Sequence, residues 1–393
     1  MSERIPVVVG AVRTPTGKFL GGLASFSAPQ LGALVIKEAV RRAGIDPTSI
    51  DEVIMGNVVS AGIGQAPARQ AAVHSGLPVD IPAFTVNKVC GSGLKAVMLA
   101  AQAIRAGDAQ AFVAGGMESM SNAPYLLPKA RTGYRMGDGK IIDSVVRDGL
   151  WCAFEDIHMG NEAEIIAEKF GVAREQQDQF ALQSHQKAQA ATSAGRFKDE
   201  ILAVEVKQKK GIQIVEADEP IRGDTSLEAL ASLQPAFQQG GTVTAGNAPG
   251  LSDGASATVV VDQAFAREHA MTELARITGY ASAAIIPKYI FAAPTIAVRR
   301  VLARTGLKIG DFDLIEVNEA FAAQALANGK ELDWDWSRVN VNGGAIALGH
   351  PIGSSGSRVL TTLIYELRRR GGGRGLATLC LGGGGAVAMS VEV

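Results

Sequence analysis

Cys90 is the residue whose position most strongly suggests chemistry. It ends an apolar, strand-like run over residues 81–89 and precedes the turn Gly91-Ser92-Gly93, after which an alanine-rich helical pattern begins. A thiol between a strand and a helix N-terminus lies at the positive end of the helix dipole, which favours the thiolate over the thiol. The position therefore predicts a nucleophile.

Three other glycine-flanked segments could supply partners for this thiol. His350 lies in the glycine-rich stretch 343–353, Cys380 precedes the glycine run 382–385, and Asn318 begins the sequence NEAFA. Taken singly, a cysteine is usually a small buried apolar residue, a histidine caps or packs about as often as it catalyses, and a glycine run can be only a sharp turn. Their joint occurrence at predicted strand ends, where active sites of open α/β sheets collect, favours one shared site. Cys152, next to Trp151, is interpreted as an ordinary buried cysteine.

Composition excludes several classes of function. The chain has 393 residues, 47% of them hydrophobic, and a net charge of −1, which gives no reason to expect a nucleic-acid partner. Three cysteines without a C-x-x-C pair argue against a disulfide framework or a zinc site and for a reducing compartment. No apolar run approaches the length of a membrane span, and the apolar N-terminal stretch is too short for a signal peptide. A cytoplasmic protein is the expectation.

The elements that must position these residues form a pattern that occurs twice. Residues 90–121 and 353–390 each follow the order turn, helix, strand, and an acidic-apolar strand ending in asparagine precedes each, at 50–57 and 312–318. This order predicts duplication of a β-α-β-rich unit, although any two such units look broadly alike. Continuous apolar strands with helical crossovers favour a largely parallel sheet with both faces covered.

The middle of the chain has a different texture and is expected to be an insertion. Helical patterns run over 162–170 and 175–191, and alternating strands around a glycine at 202–215 predict a hairpin. We expect residues 1–120 with 251–270 to form a first half, 121–250 an inserted loop domain, and 271–393 a second half. Such an excursion near a nucleophile often holds the large, non-reacting part of a substrate.

Seven motifs in order resemble the thiolases, closest to the bacterial biosynthetic acetoacetyl-CoA thiolases (acetyl-CoA C-acetyltransferases). They are NKVCGSGLKAV, GGMESMS, HMG, TAGNAPGLSDGA, VNEAFA, NGGAIALGHPIGSSG and ATLCLGGGGA, spread over essentially the whole chain. The resemblance implies an α/β fold in which two similar halves build a five-layer α-β-α-β-α body with an inserted loop domain. It also implies a homo-oligomer, commonly a tetramer, and the reversible condensation of two acetyl-CoA to acetoacetyl-CoA and CoA.

The resemblance also assigns roles to single residues. Cys90 is similar to the acyl-accepting nucleophile, His350 to the base that takes its proton, and Cys380 to the acid/base of the second step. Asn318, through a bound water, and His350 would stabilise the enolate of the second acetyl-CoA. The backbone N–H groups of Cys90 and Gly382 would bind the tetrahedral intermediate.

For coenzyme A, the resemblance implies binding residues mainly in and around the insertion. These are Leu150, His158, Met159, Arg222, Phe237, Ala245, Gly246, Ala248, Pro249 and Phe321. Arg222 is a reasonable partner for adenine or a phosphate, with a solvated loop arginine as the alternative. His158 has no ligand-spaced neighbour, so we expect no metal site, no tightly bound cofactor and no membrane partner, with CoA thioesters as substrates.

Two departures from the family pattern bear on substrate choice. Pro249 stands where some biosynthetic members carry serine and cannot supply that hydroxyl's hydrogen bond to the pantetheine arm. The stretch 287–294 replaces a more frequent Met-Gly and Gly-Pro, so Ile290 and Phe291 are expected at the acyl pocket. The alternatives are a degradative 3-ketoacyl-CoA thiolase of broader chain length, a decarboxylating ketoacyl synthase, and a non-enzymatic acyl-CoA or lipid carrier. The set Cys90, His350 and Cys380 argues against the last two.

Overall fold

The strands form one large sheet and three small two-stranded sheets. A computed structural model describes residues 4–209 and 211–393. The strands are β1 Pro6–Arg13, β2 Gly17–Lys18, β3 Glu52–Gly56, β4 Ala83–Val86, β5 Ala111–Ser119, β6 Tyr125–Leu126, β7 Ile142–Asp143, β8 Trp151–Cys152, β9 Ile157–His158, β10 Val204–Gln208, β11 Gly211–Val215, β12 Ser252–Asp262, β13 Ala275–Ala284, β14 Leu314–Val317, β15 Arg374–Leu381 and β16 Gly385–Glu392.

Helices cover the outer faces of the large sheet and also form a layer between its two halves. They are α1 Ala28–Ala43, α2 Pro67–His74, α3 Ser92–Ala106, α4 Met159–Phe170, α5 Arg174–Ser193, α6 Leu227–Ala231, α7 Gln263–Glu268, α8 Ala293–Thr305, α9 Ala322–Leu332, α10 Ala345–Leu348 and α11 Ser355–Arg369. Short irregular helices add Pro47–Ser49, Met120–Asn122, Val145–Leu150, Pro287–Ala292 and Ile309–Asp311. Helix α3, which follows Cys90, ends at Gly107, whose φ of 87° is a conformation that glycine adopts without steric cost.

The strand order of the ten-stranded sheet is β14-β15-β16-β13-β1-β12-β5-β3-β4, with β2 paired to β12. Strand β3 runs parallel to β4 and β5, and β14 runs parallel to β15, whereas the pairs that join β1, β12, β13 and β16 are antiparallel. The prediction of a largely parallel sheet is therefore wrong, and the sheet is mixed. The error has a physical reason: helices cover both faces, so the antiparallel strands are as continuously apolar as parallel ones.

The internal duplication that the sequence indicates is visible in the topology. The order β4-β3-β5-β12-β1 in the first half corresponds to β14-β15-β16-β13 in the second, and Val339 forms a bridge beside β14 in the place that β4 has beside β3. Even an irregularity is repeated, because β1 has a register shift between Val8 and Gly10 and β13 has one between Ile277 and Gly279. A two-residue pairing between β1 and β13 joins the halves.

Three hydrophobic clusters separate five layers, which confirms the predicted α-β-α-β-α body. The first cluster lies between α1 with α2 and the strands of the first half. The second surrounds α3 and α11, which lie side by side between the two halves of the sheet. The third lies between the second-half strands and α8 with the end of α9. Each sheet half therefore buries both of its faces.

Between Asn122 and Ser252 the chain forms helices and hairpins outside the large sheet. Helices α4 and α5 occupy the two predicted helical stretches, and β10 and β11 form the predicted hairpin. A buried ion triple ties this segment to β1: Arg13 Nε lies 2.6 Å from Glu200 Oε1, and Arg13 Nη1 lies 2.7 Å from Asp218 Oδ1. No helix in the described ranges combines the length and apolarity that a bilayer crossing requires.

Candidate active site

The turn that carries Cys90 is held in a strained conformation. Val89 has a φ of 47°, which is unusual for a β-branched residue and marks a site whose geometry is imposed by its surroundings. The Ser92 hydroxyl accepts from the Lys88 N–H at 2.8 Å and donates to the Val89 carbonyl at 2.6 Å. Asn87 Oδ1 accepts from the Val89 N–H at 3.0 Å. These bonds fix where the Cys90 side chain leaves the backbone.

Glycines around Cys90 let the two halves of the molecule approach closely. A Cβ on Gly91 would lie 2.6 Å from Leu381 Cδ2, at the strand end that carries Cys380. A Cβ on Gly93 would lie 2.7 Å from the Ser357 hydroxyl of α11. At Gly93 the Ser357 backbone nitrogen would also lie 2.8 Å from a Cβ, so this position requires glycine, whereas at Gly91 a side chain would have to displace Leu381.

His350 is buried and oriented by three polar neighbours. The Ser355 hydroxyl donates its single proton to the Pro351 carbonyl at 2.9 Å, so it accepts from His350 Nδ1–H at 2.6 Å. This leaves the lone pair on Nε2, which the Asn318 amide reaches at 3.4 Å. The His350 backbone N–H is bound by the Ser252 hydroxyl at 3.2 Å. Nε2 is therefore the nitrogen that can take a proton.

Cys380 lies at the end of β15, inside the same site. Cys380 is only 1% exposed, and the glycine run that follows it lets the chain reverse into β16. The backbone N–H groups of Cys90 itself and of Gly382 lower the pKa of the Cys90 thiol. Backbone N–H donors beside a sulfur are suited to stabilise negative charge that develops there.

The resting cysteine and histidine are both neutral. Burial raises the pKa of the Cys90 thiol to about 12, while the two N–H donors act in the opposite direction and the Glu118 carboxylate raises it further. Burial, with the nearby Arg358 charge, lowers the pKa of His350 to about 3. Desolvation of the charged form therefore opposes the stabilisation that the helix start offers to the Cys90 thiolate. A neutral imidazole remains available as a base.

A pocket of about 390 Å³ connects these groups to the surface. Its wall is mostly apolar and comes from the insertion and from the second half. Of the residues expected from sequence, it includes Cys90, His350, Cys380, Gly382, Leu150, His158, Met159, Phe237, Ala245, Ala248, Pro249 and Phe321. Asn318 is completely buried, and its side-chain amide contacts the site at His350 Nε2. A catalytic end with a long apolar approach suits a thioester on a pantetheine-like arm.

Aromatic rings form one side of the pocket. His158 stacks on Phe237 at 4.7 Å, Phe237 packs edge-on against Phe321 at 6.2 Å, and Phe321 packs against Phe291 at 5.2 Å. His158 Nδ1 accepts from the Gly160 N–H at 3.0 Å and so caps α4, which leaves Nε2–H as a donor. Ile290 and Phe291, which were expected at the acyl pocket, both lie in the lining of this pocket.

Two of the expected binding residues lie outside the pocket lining. Arg222 is exposed, and its backbone N–H donates to His185 Nδ1 at 3.1 Å. Gly246 faces away from the pocket, since a Cβ there would meet Leu230 and Leu233 at 2.5 and 2.6 Å. Cys152 is buried, as interpreted from sequence, in the apolar cluster that also contains Phe291, Phe321 and Cys380.

The sequence reasoning missed the residues that orient His350. Ser355 and Ser252 bind its ring and backbone, and Val89 carries the strained conformation. Ser355 lies one helical turn beyond His350, in the GSSG turn that the sequence already marked, so spacing could have suggested it. No cluster of three or more histidine, cysteine or acidic side chains suitable for a metal ion occurs in the described part of the chain.

Comparisons with known proteins agree with this geometry. Family models described as "Thiolase, N-terminal domain" and "Thiolase, C-terminal domain" match residues 6–264 and 271–393. An acetyl-CoA acetyltransferase of Pseudomonas aeruginosa is 56% identical over 386 residues, and one of Escherichia coli is 55% identical over 387, each covering 98% of both chains. The crystal structure of the Bacillus anthracis acetyl-CoA acetyltransferase matches with a TM-score of 0.98 at 42% identity, covering 99% of both chains. Because the two family models together span nearly all of this sequence, and its fold coincides with that of a solved relative, the chain belongs to the thiolase family.

Proposed function

We propose that this protein is an acetyl-CoA acetyltransferase that joins two acetyl-CoA molecules, reversibly, into acetoacetyl-CoA and CoA. The observation that carries the proposal is one pocket that contains a cysteine with two N–H donors, a neutral histidine and a second cysteine. Full-length relatives at 51–56% identity that bear the name acetyl-CoA acetyltransferase support the same reaction.

In the first step His350 Nε2 takes the proton of Cys90, and the resulting thiolate attacks the thioester carbonyl of acetyl-CoA. The N–H groups of Cys90 and Gly382 bind the oxyanion of the tetrahedral intermediate. When the intermediate collapses, CoA leaves with a proton from Cys380, and acetyl-Cys90 and a Cys380 thiolate remain. A neutral base suits this step because the imidazole lone pair is free at neutral pH.

In the second step the Cys380 thiolate removes an α-proton from the second acetyl-CoA. The enolate oxygen that forms is stabilised by protonated His350 and, through water, by Asn318, whose amide lies beside Nε2. The enolate carbon attacks acetyl-Cys90, the new carbon–carbon bond forms, and Cys90 leaves as a thiolate that recovers its proton from His350. Protons therefore balance without an outside donor.

The substrate arm would lie along the apolar wall of the insertion. Leu150, Met159, Phe237, Ala248 and Pro249 offer contacts to pantetheine, and His158 Nε2–H offers a donor at the deeper end. Arg222 and Gly246 lie beyond this wall, so they would meet only the distal nucleotide part of CoA.

We further propose a cytoplasmic homo-oligomer that takes CoA thioesters as free substrates. The reducing compartment is supported by Cys90, Cys152 and Cys380, which are all unpaired, and the mechanism needs two of them reduced. The homo-oligomer is proposed from membership of the thiolase family alone.

The decisive experiment is the chain-length profile of thiolysis, with purified protein, CoA, and 3-ketoacyl-CoAs of 4 to 16 carbons. We expect acetoacetyl-CoA to be the best substrate, because Phe291 and Phe321 close the pocket beyond the reacting carbons. A clear preference for long chains would instead indicate the degradative thiolase.

Mass spectrometry after exposure to acetyl-CoA separates the remaining alternatives. We expect a single acetyl group on Cys90 and none in Cys90→Ala. Absence of the adduct would indicate an acyl-CoA carrier, and turnover with malonyl but not acetyl thioesters would indicate a decarboxylating synthase.

A further inference from the structure

The duplicated sheet assigns a partner in the first half to each catalytic residue of the second. Gly56 of β3 pairs with Gly116 of β5, and Val317 of β14 pairs with Thr378 of β15. Asparagine follows the first member of each pair, so Asn57 corresponds to Asn318. Glu118 and Cys380 stand two residues after Gly116 and Thr378, the second members of these pairs, so Glu118 corresponds to Cys380.

The two central helices extend this correspondence to the nucleophile. A Cβ on Gly93 at the start of α3 would lie 2.8 Å from the Ser357 backbone nitrogen, and one on Gly356 at the start of α11 would lie 2.3 Å from the Leu94 nitrogen. The two helix starts therefore meet as equivalents. Three residues before each glycine stand Cys90 and Gly353, which makes Gly353 the counterpart of the nucleophile.

The counterpart site is filled by the side chain of Glu118. This completely buried carboxylate accepts from the Gly353 N–H at 2.9 Å, from the Val58 and Val59 N–H groups at 3.1 and 3.2 Å, and from Asn57 Nδ2 at 2.9 Å. In the active half the N–H group of Cys90 instead favours the ionised form of the reactive thiol. The catalytic copy of the site thus keeps this N–H donor for the reaction. In the other copy, the equivalent Gly353 N–H binds the Glu118 carboxylate.

We propose that Glu118 is a built-in carboxylate ligand of a second, inactive copy of the catalytic site, and that it is a positioning residue for the 350–353 turn that carries His350. The turn is tied to the first half through Gly353, three residues after His350. Ile352 of the same turn packs with Val58 and Val59 in a cluster that also contacts Cys90. The motif around Glu118 therefore acts through the placement of the base relative to the nucleophile. The catalytic part of this inference rests on the proposed function.

Space around Gly353 supports a tight contact. A Cβ on Gly353 would lie 2.8 Å from the Met117 carbonyl, 2.9 Å from Glu118 Oε2 and 3.0 Å from Asn57 Cα. The turn has no room to move toward Glu118, so its position follows that of the carboxylate and of the strand that carries it.

The test compares Glu118→Gln with Glu366→Gln in the full-length protein. In Glu118→Gln, whichever oxygen becomes an amide nitrogen, at least one backbone N–H among residues 58, 59 and 353 loses its acceptor. Glu366 is a control, because it is also a buried carboxylate and accepts from Asn342 Nδ2 at 2.9 Å near the far end of α11; unlike Glu118 it also forms ion pairs with Arg369 and Arg370.

We measure the rate of Cys90 alkylation by iodoacetamide, and kcat and KM for acetoacetyl-CoA thiolysis, at matched fractions of folded protein. Glu118→Gln is expected to lower the alkylation rate and kcat at least tenfold with KM within threefold, whereas Glu366→Gln changes each less than twofold. Alkylation and kcat within twofold of wild type in Glu118→Gln would overturn the proposal.

A second variant keeps the test open if Glu118→Gln fails to fold. Gly353→Ala pushes the turn from the other side of the same contact and is expected to give a similar loss. Where both variants fold, the kcat of the double variant should be at most threefold below that of the less active single variant, since both substitutions disturb one contact. A loss of kcat equal to the product of the two single losses would count against the proposal. Alkylation needs no substrate, so it tests Glu118 even if wild type shows no thiolysis, a result that would refute only the proposed function.

Discussion

Ser355→Ala tests whether the hydrogen bond between His350 and Ser355, at the start of α11, determines which ring nitrogen of His350 can act as the base. In the native protein Ser355 accepts from His350 Nδ1–H at 2.6 Å, which holds the lone pair on Nε2. Without that acceptor the buried Nδ1–H is unsatisfied, and the ring is expected to move its proton to Nε2, where it cannot act as a base.

The magnitude follows from the cost of returning to the reactive tautomer. Leaving a buried donor unsatisfied costs about 1–3 kcal/mol. Since about 1.36 kcal/mol corresponds to tenfold in rate, acylation of Cys90 should slow roughly fivefold to 150-fold. Binding of CoA should change little, because Ser355 lies outside the pocket lining.

The assay is rapid-quench mass spectrometry of acetyl-Cys90 after mixing with acetyl-CoA. Ser357→Ala is the matched control: it removes another buried hydroxyl of α11, which contacts the Ser354 carbonyl and Ser256 but not His350. Acylation of Ser355→Ala at the wild-type rate, or an equal loss in both variants, would refute the reasoning.

Three further predictions concern the second thiol, the ion triple and the pocket floor. Cys380→Ala should still acetylate the nucleophile, though more slowly because CoA must leave as a thiolate, and should lose condensation at least 1000-fold, as measured by acetoacetyl-CoA formation; full condensation would remove Cys380 from its role. Arg13→Met should lower the free energy of unfolding by about 3 kcal/mol or more at pH 7.5, because it leaves Glu200 and Asp218 buried without their partner. Burial already raises the pKa of Glu200 and Arg13 opposes this, so without Arg13 the folded state takes up protons more readily, and the deficit in urea denaturation should shrink toward pH 5.5; an equal deficit at both pH values would contradict this account. Phe291→Leu should raise thiolysis of 3-ketohexanoyl-CoA relative to acetoacetyl-CoA several-fold, and an unchanged ratio would show that Phe291 does not limit chain length.

The sequence predicts the reactive residues better than it predicts their state. Cys90, His350 and Cys380 are recognisable because each lies beside a glycine-rich turn, and glycine leaves a visible pattern. Cys90 and Cys380 lie near strand ends as expected, whereas the expectation of a strand end at His350 is wrong, since His350 lies between α10 and α11. The ionisation of Cys90 is harder to predict, because a helix start is visible in sequence, whereas the burial that raises the pKa of the thiol comes from residues more than 200 positions away, such as Ile352 and Leu381.

The parts of the fold that escaped prediction depend on partners far along the chain. Strand direction could not be derived for β12 and β16, because an interior strand buried on both faces is apolar throughout whichever way it runs. Ser355 and Ser252 are ordinary serines until α11 and β12 place them beside one imidazole. The repeat predicts two equivalent units, whereas the five-layer arrangement was available only from the resemblance to the thiolases.

The close crossing of α3 and α11 has a consequence for how activity arises during folding. The nucleophile and its base are 260 positions apart, and they meet only where Gly93 and Gly356 let the two helix starts touch. Contacts of such long sequence separation form late, after each half has acquired its own strands and helices. Recovery of thiolysis on refolding should therefore lag behind recovery of secondary structure. The time course of activity then reports when the two halves dock.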